Sequence, residues 1–462
     1  MEWLVFSGDE GINEIFDPET NKSKKHKRDD LLVPFKTKTD KNRYEDFSGV
    51  VGAFSRLMSG IRIKNSPKSD DFYEHLKEKM SGCSDEEVKK LHSLINDMYF
   101  EDNHLLPINT RALNYLESNI SQQQVAEYLF SLFIDSTDLK NSYQIMASGD
   151  EINVLEKLVF DSLTFDDEEE NLSYQKADCL LPYVKEVFIE DYTILLRSGN
   201  AYKECINRFL AYYYMYYVTQ LAVKLNRFEK GERDKIEKIF MTLNWEVISR
   251  VRSGYEYGWK YVNEKLSHMF SHSVVLELLA HNNNNLHLDY IGYYKKFYGR
   301  EEDIKVSEEI GHVTELYKKW IPLDYSKCLH DTDKDTECKT TNEIRRLFEV
   351  VDYQFINGGR KSHYNGYNKK FIDFVQHNFG KRRGTLGYTM GVNESDIIMF
   401  TNIILRKYEG KVSLPKLFQE FERRGLIFDR ESRKSVTDLF DKMNFLEKRS
   451  DSGDAQYVKT IL

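Results

Sequence analysis

The sequence predicts a mainly α-helical fold, a multi-helical body that ends in a small domain of three helices and a hairpin, on three observations. Proline is scarce, 7 in 462 residues, while 30 Tyr and 28 Phe supply apolar bulk, a balance that suits long helices better than a turn-rich β fold. From about Asp46 onward, successive stretches pair an N-cap residue with apolar residues at three- and four-residue spacing. Near the C-terminus, three short amphipathic patterns precede an alternating run interrupted by the polar turn "SDSGD". A chain of this length is expected to divide into two or three domains.

Residues 1–45 read as an irregular segment. Its basic run "NKSKKHKRDD" places Lys22, Lys24, Lys25, Lys27 and Arg28 in a solvated loop or in a phosphate-contacting arm, and Asp29 and Asp30 weaken the second reading. The body, 46–350, opens on "DFSGVVGAFSRLMSGI", "SDDFYEHLKEKM" and "SDEEVKKLHSLINDMYF". In the last of these Ser84 caps and Glu87 stands at the third helical position, a capping box. "SQQQVAEYLFSLFID" and "DEINVLEKLVFDSL" continue the pattern, and the acidic run Asp166 to Glu170 is a loop. From Leu180 to Phe228 the chain is apolar nearly all round, which places those helices in the interior. Tyr212 to Tyr217 then belong to a core in which their hydroxyls find partners. Trp245 and Trp259 are expected packing anchors, and no repeat of solenoid period occurs.

After Phe348 the composition shifts. Residues 351–390, with "INGGRKSHYNGYNKKF" and "HNFGKRRGTLGYTMG", carry linker or binding-loop chemistry, and the last domain, 391–462, begins near Gly391. Its first helix is capped by Asn393, holds Asp396 in the first turn and stops at Gly410. The second is capped by Ser413, has Pro415 in its first turn, buries Leu414, Leu417, Phe418 and Phe421, and stops at Gly425. The third is capped by Asp429 and buries Val436, Leu439, Phe440 and Met443. "FLEKR", a turn containing Gly453, and "AQYVKTIL" form a hairpin. Three helices closed by a two-stranded wing make a winged-helix domain, a helix-turn-helix variant that serves DNA binding or protein docking.

The net charge of -9 gives the whole molecule no attraction for nucleic acid, so a DNA contact requires a local basic surface. On the third helix Arg430, Lys434, Thr437 and Asp441 share the face opposite the core, with Glu431 and Asp438 beside it. From Gly391 onward 13 Lys and Arg stand against 12 Asp and Glu, and on charge alone DNA binding and docking are evenly matched. Residues 351–390 tilt the balance. Their 7 Lys and Arg against 2 Asp, interleaved with Tyr364, Tyr367, Phe379 and Tyr388, suit backbone contact with base stacking, although a flexible charged linker has the same composition. The candidate DNA-binding residues are Arg360, Lys361, Lys369, Lys370, Lys381, Arg382, Arg383, Arg430, Arg433, Lys434, Lys448 and Arg449.

No Gly-rich loop ending in Gly-Lys-Ser/Thr is present, so ATP hydrolysis is not expected. Cys328, His330 and Cys338 in "KCLHDTDKDTECKT" offer three zinc ligands at unusual spacing without a fourth, and a polar loop is the simpler reading. A calcium loop starting at Asp331 is rejected, because Thr336 stands where Gly is needed and Asn342 where the bidentate Glu belongs. Asp324, Glu337 and Lys339 have the spacing of metal-dependent nucleases, yet "HDTDKDTECK" lacks the alternating apolar residues of the hairpin that carries such triads. His268 and His272 share a face in "HMFSH", followed by His281 and His287, but without the Glu of a zincin pattern they read as ordinary helix residues. No catalytic residue, metal or cofactor is expected.

Cys83, Cys179, Cys205, Cys328 and Cys338 form no paired pattern, which points to a reducing compartment and a cytoplasmic location. "MEWLVFSGDE" lacks the basic start and long apolar region of a secretory signal. The most apolar segment, Phe209 to Val223, lies between Arg208 and Lys224, carries Thr219 and Gln220, and is too short for a bilayer, so no membrane contact is expected.

The stretches "RFLAYYYMYYVTQLAVKLN", "LNWEVISRVRSGYEYGWK", "RRGLIFDRESRKSVTDLFDKMNFLEKRSDSGDAQYVKTIL" and, more loosely, "LLVPFKTK" resemble the DptG/DndG family, the G subunit of bacterial DNA phosphorothioation-dependent restriction systems. The likeness spans most of the chain and is most specific at its C-terminal end. It implies a non-catalytic subunit of an anti-phage defence complex that acts with F and H subunits, which look like ATPases, against DNA lacking the sulfur-for-oxygen backbone mark. It carries over no catalytic residues. The expectation is therefore a non-enzymatic, DNA-binding subunit; the alternatives are a nuclease using Asp324, Glu337 and Lys339, or a pure docking scaffold.

Overall fold

The computed structural model describes residues 32–33, 44–61, 68–149, 153–162, 177–280, 288–359, 361–448 and 456–460. They are mainly helical, with short strands, and among them no helix is long and apolar enough to cross a membrane. The basic run Lys22 to Arg28, the acidic run Asp166 to Glu170, His281, His287, Arg360, Arg449 and the turn around Gly453 lie outside the described residues.

The helix Asn200–Leu225 organises the body. Its tyrosines Tyr212, Tyr213, Tyr214, Tyr216 and Tyr217 are all buried, as expected, and each hydroxyl has a partner. Tyr212 donates to the Arg424 carbonyl at 2.7 Å, Tyr213 to Asp191 Oδ2 at 2.6 Å, Tyr214 to the Tyr44 hydroxyl at 3.4 Å and Tyr216 to the Arg423 carbonyl at 3.2 Å. Tyr217 accepts from the Leu180 N–H at 3.0 Å. Burying so many phenols costs little once each hydroxyl is paired.

One continuous core surrounds this helix and runs from Leu32 and Val33 to Val458. A smaller core packs Phe72, Leu76, Val88, Ile95, Tyr99 and Phe160 between the helices Ser69–Lys79, Asp85–Tyr99 and Val154–Ser162 and the hairpin of β1 (Phe100–Glu101) and β2 (His104–Leu105). The Ser84 and Glu87 capping box opens the Asp85–Tyr99 helix as the sequence indicates. Of the two expected tryptophan anchors, Trp259 is buried but Trp245 stands 38% exposed.

Residues 351–390 depart from the expected linker chemistry. They complete the helix Lys339–Asn357 and form the helices Lys361–Tyr367 and Lys369–Phe379. Tyr364, Tyr367 and Phe379, read as stacking residues, are core residues beside Phe371 and Phe374. Asn365, Lys369 and His377, which gave the segment its polar composition, are exposed. An amphipathic helix and a charged linker share a composition; they differ in period.

Strands β3 (Thr242–Leu243), β4 (Gly380–Arg382) and β5 (Tyr388–Val392) form a sheet of order β3-β5-β4, with β3 parallel and β4 antiparallel to β5. A Cβ on Gly391 would lie 2.5 Å from the Thr242 carbonyl oxygen, so this close approach requires glycine. The expected boundary near Gly391 thus falls inside β5.

The chain then runs through the helix Glu394–Lys407, β6 (Lys411–Ser413), the helices Leu414–Arg423 and Arg430–Lys442, and β7 (Leu446–Lys448) and β8 (Gln456–Lys459). These strands form an antiparallel sheet of order β6-β8-β7, in which Val412 and Leu446 both pair with Val458. β6 is a third strand that the sequence pattern did not suggest. Asn393 and Asp396 form a reciprocal cap, and Asp429 accepts from the Ser432 N–H at 3.0 Å. Ser413 holds the N-cap position of the second helix without a side-chain bond.

Two buried clamps join this region to the body. Arg424, fully buried, donates to Asp191 at 2.6 and 2.8 Å and to Glu420 at 2.7 Å, while Tyr408 donates to Glu420 at 2.7 Å. Arg208 donates to Asp396 Oδ2 at 2.6 Å and to the Asn378 carbonyl at 2.8 Å, and lies 4.0 Å over the Phe379 ring. Gly425, at φ +80, follows Arg424, and a Cβ there would lie 2.2 Å from the Tyr216 ring.

Removing one partner of a buried pair leaves an uncompensated charge, so Arg424→Ala is expected to lower the unfolding free energy by about 3–5 kcal/mol in urea titrations. Burial opposes the charge on Glu420, but the bonds from Tyr408 and Arg424 outweigh it and pull its pKa to about 2. Because the folded value is depressed, its contribution is complete above the ordinary carboxylate range and is lost as pH falls toward 2. The stability difference between wild type and Glu420→Gln should therefore shrink along that acid limb and hold steady at neutral pH.

Candidate nucleic-acid interface

The helix Arg430–Lys442 is fixed at its N-terminus by side chains from the loop that follows β3. Arg252 donates to Asp429 Oδ2 at 3.0 Å, to Ser432 Oγ at 2.9 Å, to Glu246 Oε2 at 3.0 Å and to the Val247 carbonyl at 2.8 Å. Ser432 in turn donates to Glu246 Oε1 at 2.8 Å, and the same oxygen accepts from the Leu243 N–H at 2.8 Å. Burial works against the charge on Asp429, but Arg252 and the Ser432 N–H hold its carboxyl below the usual range. An Asp carboxylate thus occupies the anion position that the first turn of a helix offers, and a phosphate would reach this helix through side chains instead.

The predicted residues divide sharply. Lys361, Lys369, Lys381, Arg382, Arg430 and Lys434 are exposed and have no ion pair among the described residues. Lys381 and Arg382 lie on β4, and Arg430 and Lys434 are one turn apart on the third helix. Arg383 is turned inward, donating to the Glu246 and Leu243 carbonyls at 2.7 Å each and to Thr389 Oγ1 at 3.2 Å, and burial lowers its pKa. Arg433 pairs with Glu422 and lies 5.3 Å over the Phe418 ring. Lys370 donates to Ser121 Oγ at 3.2 Å. Lys448 stands in β7 opposite Gln456. Of the four proposed stacking aromatics only Tyr388 is exposed, at 38%.

Sequence reasoning missed the exposed loop beside this helix, with Trp245, Val247, Arg250 and Val251. The two valines are each 89% exposed. The signal was present in "NWEVISRVRSG", where apolar and basic residues follow neither a helical nor a strand period.

The other candidate chemistry is dispersed. Asp324 accepts from the Ser326 N–H at 3.0 Å, Glu337 accepts from the Tyr298 hydroxyl at 2.9 Å, and Lys339 opens a helix. His330 lines a cleft of about 560 Å³ between the helices Glu302–Trp320 and Lys339–Asn357. Its Nδ1 lies 2.7 Å from Glu349 and its Nε2 2.7 Å from Asp335, so both nitrogens are engaged. Burial opposes its protonation, but these two carboxylates outweigh it and raise its pKa. Cys328 shares the cleft, whereas Cys338 is buried with Sγ 3.4 Å from Asp303. His268 lies 3.1 Å from Asp352, and burial holds His272 neutral with its pKa lowered to about 3. Among the described residues no three His, Cys, Asp or Glu side chains converge to hold a metal.

No protein-family model and no curated protein matches the chain.

Arg252 and Glu246 both join the loop to the third helix, and of the two it is Arg252 that bonds the Asp429 carboxylate. Arg252→Ala is expected to raise amide hydrogen exchange selectively at residues 430–434, ahead of the remainder of that helix, because Asp429 loses the guanidinium that holds it as a cap.

Proposed function

We propose that the chain is a non-catalytic DNA-binding subunit of a phosphorothioation-dependent restriction complex, contacting duplex DNA through a C-terminal winged helix. The order helix, strand, helix, helix, strand, strand, closed by the sheet β6-β8-β7, fits that domain, and its third helix is the one that enters a DNA groove. The observation that carries the reading is on this helix: its N-cap is fixed to the body while Arg430 and Lys434 stay exposed and without an ion pair among the described residues. A fixed helix with free cations meets phosphates without an ordering cost.

The family resemblance supports the same reading through geometry. Its three longest segments meet in the fold: Tyr212 of the first donates to the Arg424 carbonyl of the third, and Arg252 and Glu246 of the second bond Asp429 and Ser432 of the third. In the complex the chain acts with the F and H subunits, the ATPases, on unmodified DNA in the cytoplasm.

The test is duplex affinity against salt, for wild type and for Arg430→Ala with Lys434→Ala. A chain ending before Gly391 would strip Tyr212 of the Arg424 carbonyl and Arg208 of Asp396, so point variants are the informative ones. Log affinity is expected to fall linearly with log salt, and the double variant to reduce that slope by about two. Wild-type protein that binds no duplex, or binds without salt dependence, would leave a docking scaffold instead.

A further inference from the structure

The chain between the helices Glu302–Trp320 and Lys339–Asn357 is anchored at both ends and held in its middle by one side chain. At the near end the Tyr325 hydroxyl donates to the Ile321 carbonyl at 2.8 Å, and the Cys328 N–H to the Tyr325 carbonyl at 2.9 Å. At the far end Asn342 closes a reciprocal pair with Thr336, accepting from its N–H and donating to its carbonyl at 2.8 Å each. Between these anchors Leu329 is 82% exposed and residues 331–335 are all exposed, so no apolar burial fixes the stretch 329–335. Among the described residues, the one hydrogen bond or ion pair that leaves this stretch joins His330 to Glu349.

His330 itself is only 14% exposed, and each ring nitrogen meets a carboxylate. Nδ1 lies 2.7 Å from Glu349 on the helix, and Nε2 lies 2.7 Å from Asp335 in the loop. Both contacts need an N–H. A neutral imidazole has one N–H and an imidazolium has two, so the pair is complete only when the ring is charged. Burial opposes that charge, but the two carboxylates outweigh it and raise the pKa.

The other charged groups around the ring do not compete for these carboxylates. From the helix Lys339–Asn357, Arg346 pairs with Glu343 at 2.7 Å. From the helix Glu302–Trp320, Lys318 pairs with Glu315 at 2.7 Å, and Glu308 adds a further acid to the cleft. In the loop Lys334 pairs with Asp331 at 2.8 Å, and burial raises the pKa of the Cys328 thiol. His330 is thus the cation that Glu349 and Asp335 share.

We propose that His330 is a proton-operated latch: as an imidazolium it holds residues 329–335 against the helix Lys339–Asn357, and as a neutral ring it releases them. A neutral ring keeps a donor for one carboxylate and turns a lone pair toward the other, so Glu349 and Asp335 lose their shared counter-ion. Because His330 and Cys328 form the loop side of the cleft, release opens that wall. The folded pKa is the raised one, so the latch is complete below the ordinary imidazole value of about 6.5 and is lost as pH rises through the raised value. This device is independent of the DNA-binding reading.

Two measurements on the full chain test it. One is the pH titration of the His330 ring Cε1–H signal by NMR, assigned by its loss in His330→Gln. The other is trypsin cleavage after Lys334, normalised at each pH to a free peptide of residues 322–340 with the same sequence. The wild-type ring is expected to titrate above the ordinary imidazole value. Normalised cleavage should rise about tenfold from about pH 6 to about pH 9, the factor carried by one hydrogen bond to a charged group. His330→Ala should be cut at the high-pH rate throughout, and so should His330→Gln, which keeps a donor and an acceptor but cannot be charged. Glu349→Gln should lower the midpoint of the His330 titration and move the rise in cleavage with it. A wild-type ring that titrates at or below the ordinary value, or cleavage no more pH-dependent in wild type than in His330→Gln, would overturn the latch.

Discussion

The arrangement of this protein turns on one buried cation. Arg424 has no exposed surface and is held between Asp191, also fully buried, and Glu420. In such a site the attraction between charges does little more than offset their desolvation, so the network is a weak source of net stability. Adhesion comes from apolar contact, with Tyr212 and Phe400 ring centroids 4.6 Å apart and the Tyr216 ring against Gly425. What the charges supply is register. Apolar surfaces slide over one another at small cost, whereas a slip that separated Arg424 from Asp191 would leave two bare charges in the core.

That register reaches the surface. Arg208 with Asp396 fixes the first helix of the C-terminal region, Arg424 the second, and Arg252 with Asp429 the third, so every helix of the region is tied to the body by its own ion pair. The spacing between the exposed cations of β4 and those of the third helix is therefore a property of the whole chain. A domain on a flexible tether orders itself when it meets a partner and loses affinity in doing so; in this chain that ordering is done during folding.

Local features were legible in the sequence and distant ones were not. The capping box of Ser84 with Glu87 and the Asn393 cap formed as read, and Asp396, read only as a first-turn acid, turns out to complete a second reciprocal cap. The tyrosine cluster was legible because a helix apolar on all sides has no solvent face. The clamps were hidden, since Asp191 and Arg424 lie 233 residues apart and nothing in either neighbourhood names the other. Counting charges failed for the same reason: Arg383, Arg424 and Arg433 enter a basic sum, yet each is committed to an internal partner. The aromatics of 351–390 were read by composition, where Phe371, Phe374, Val375 and Phe379 carried the helical period that marks them as core. β3 has two residues and its partner strand lies about 150 positions later, so no local pattern announces it.

Arg252 links the exposed loop after β3 to the start of the third helix. One guanidinium holds the Val247 carbonyl on the exposed loop and Asp429 and Ser432 at the start of the third helix, with Glu246 neutralising it between them. Neither element could shift without breaking a bond to a side chain only 13% exposed, where water makes a poor substitute. The exposed valines also become tolerable in this setting. A rigid loop cannot extend into a strand for edge pairing, and the exposed Arg250 within it opposes self-association by like-charge repulsion.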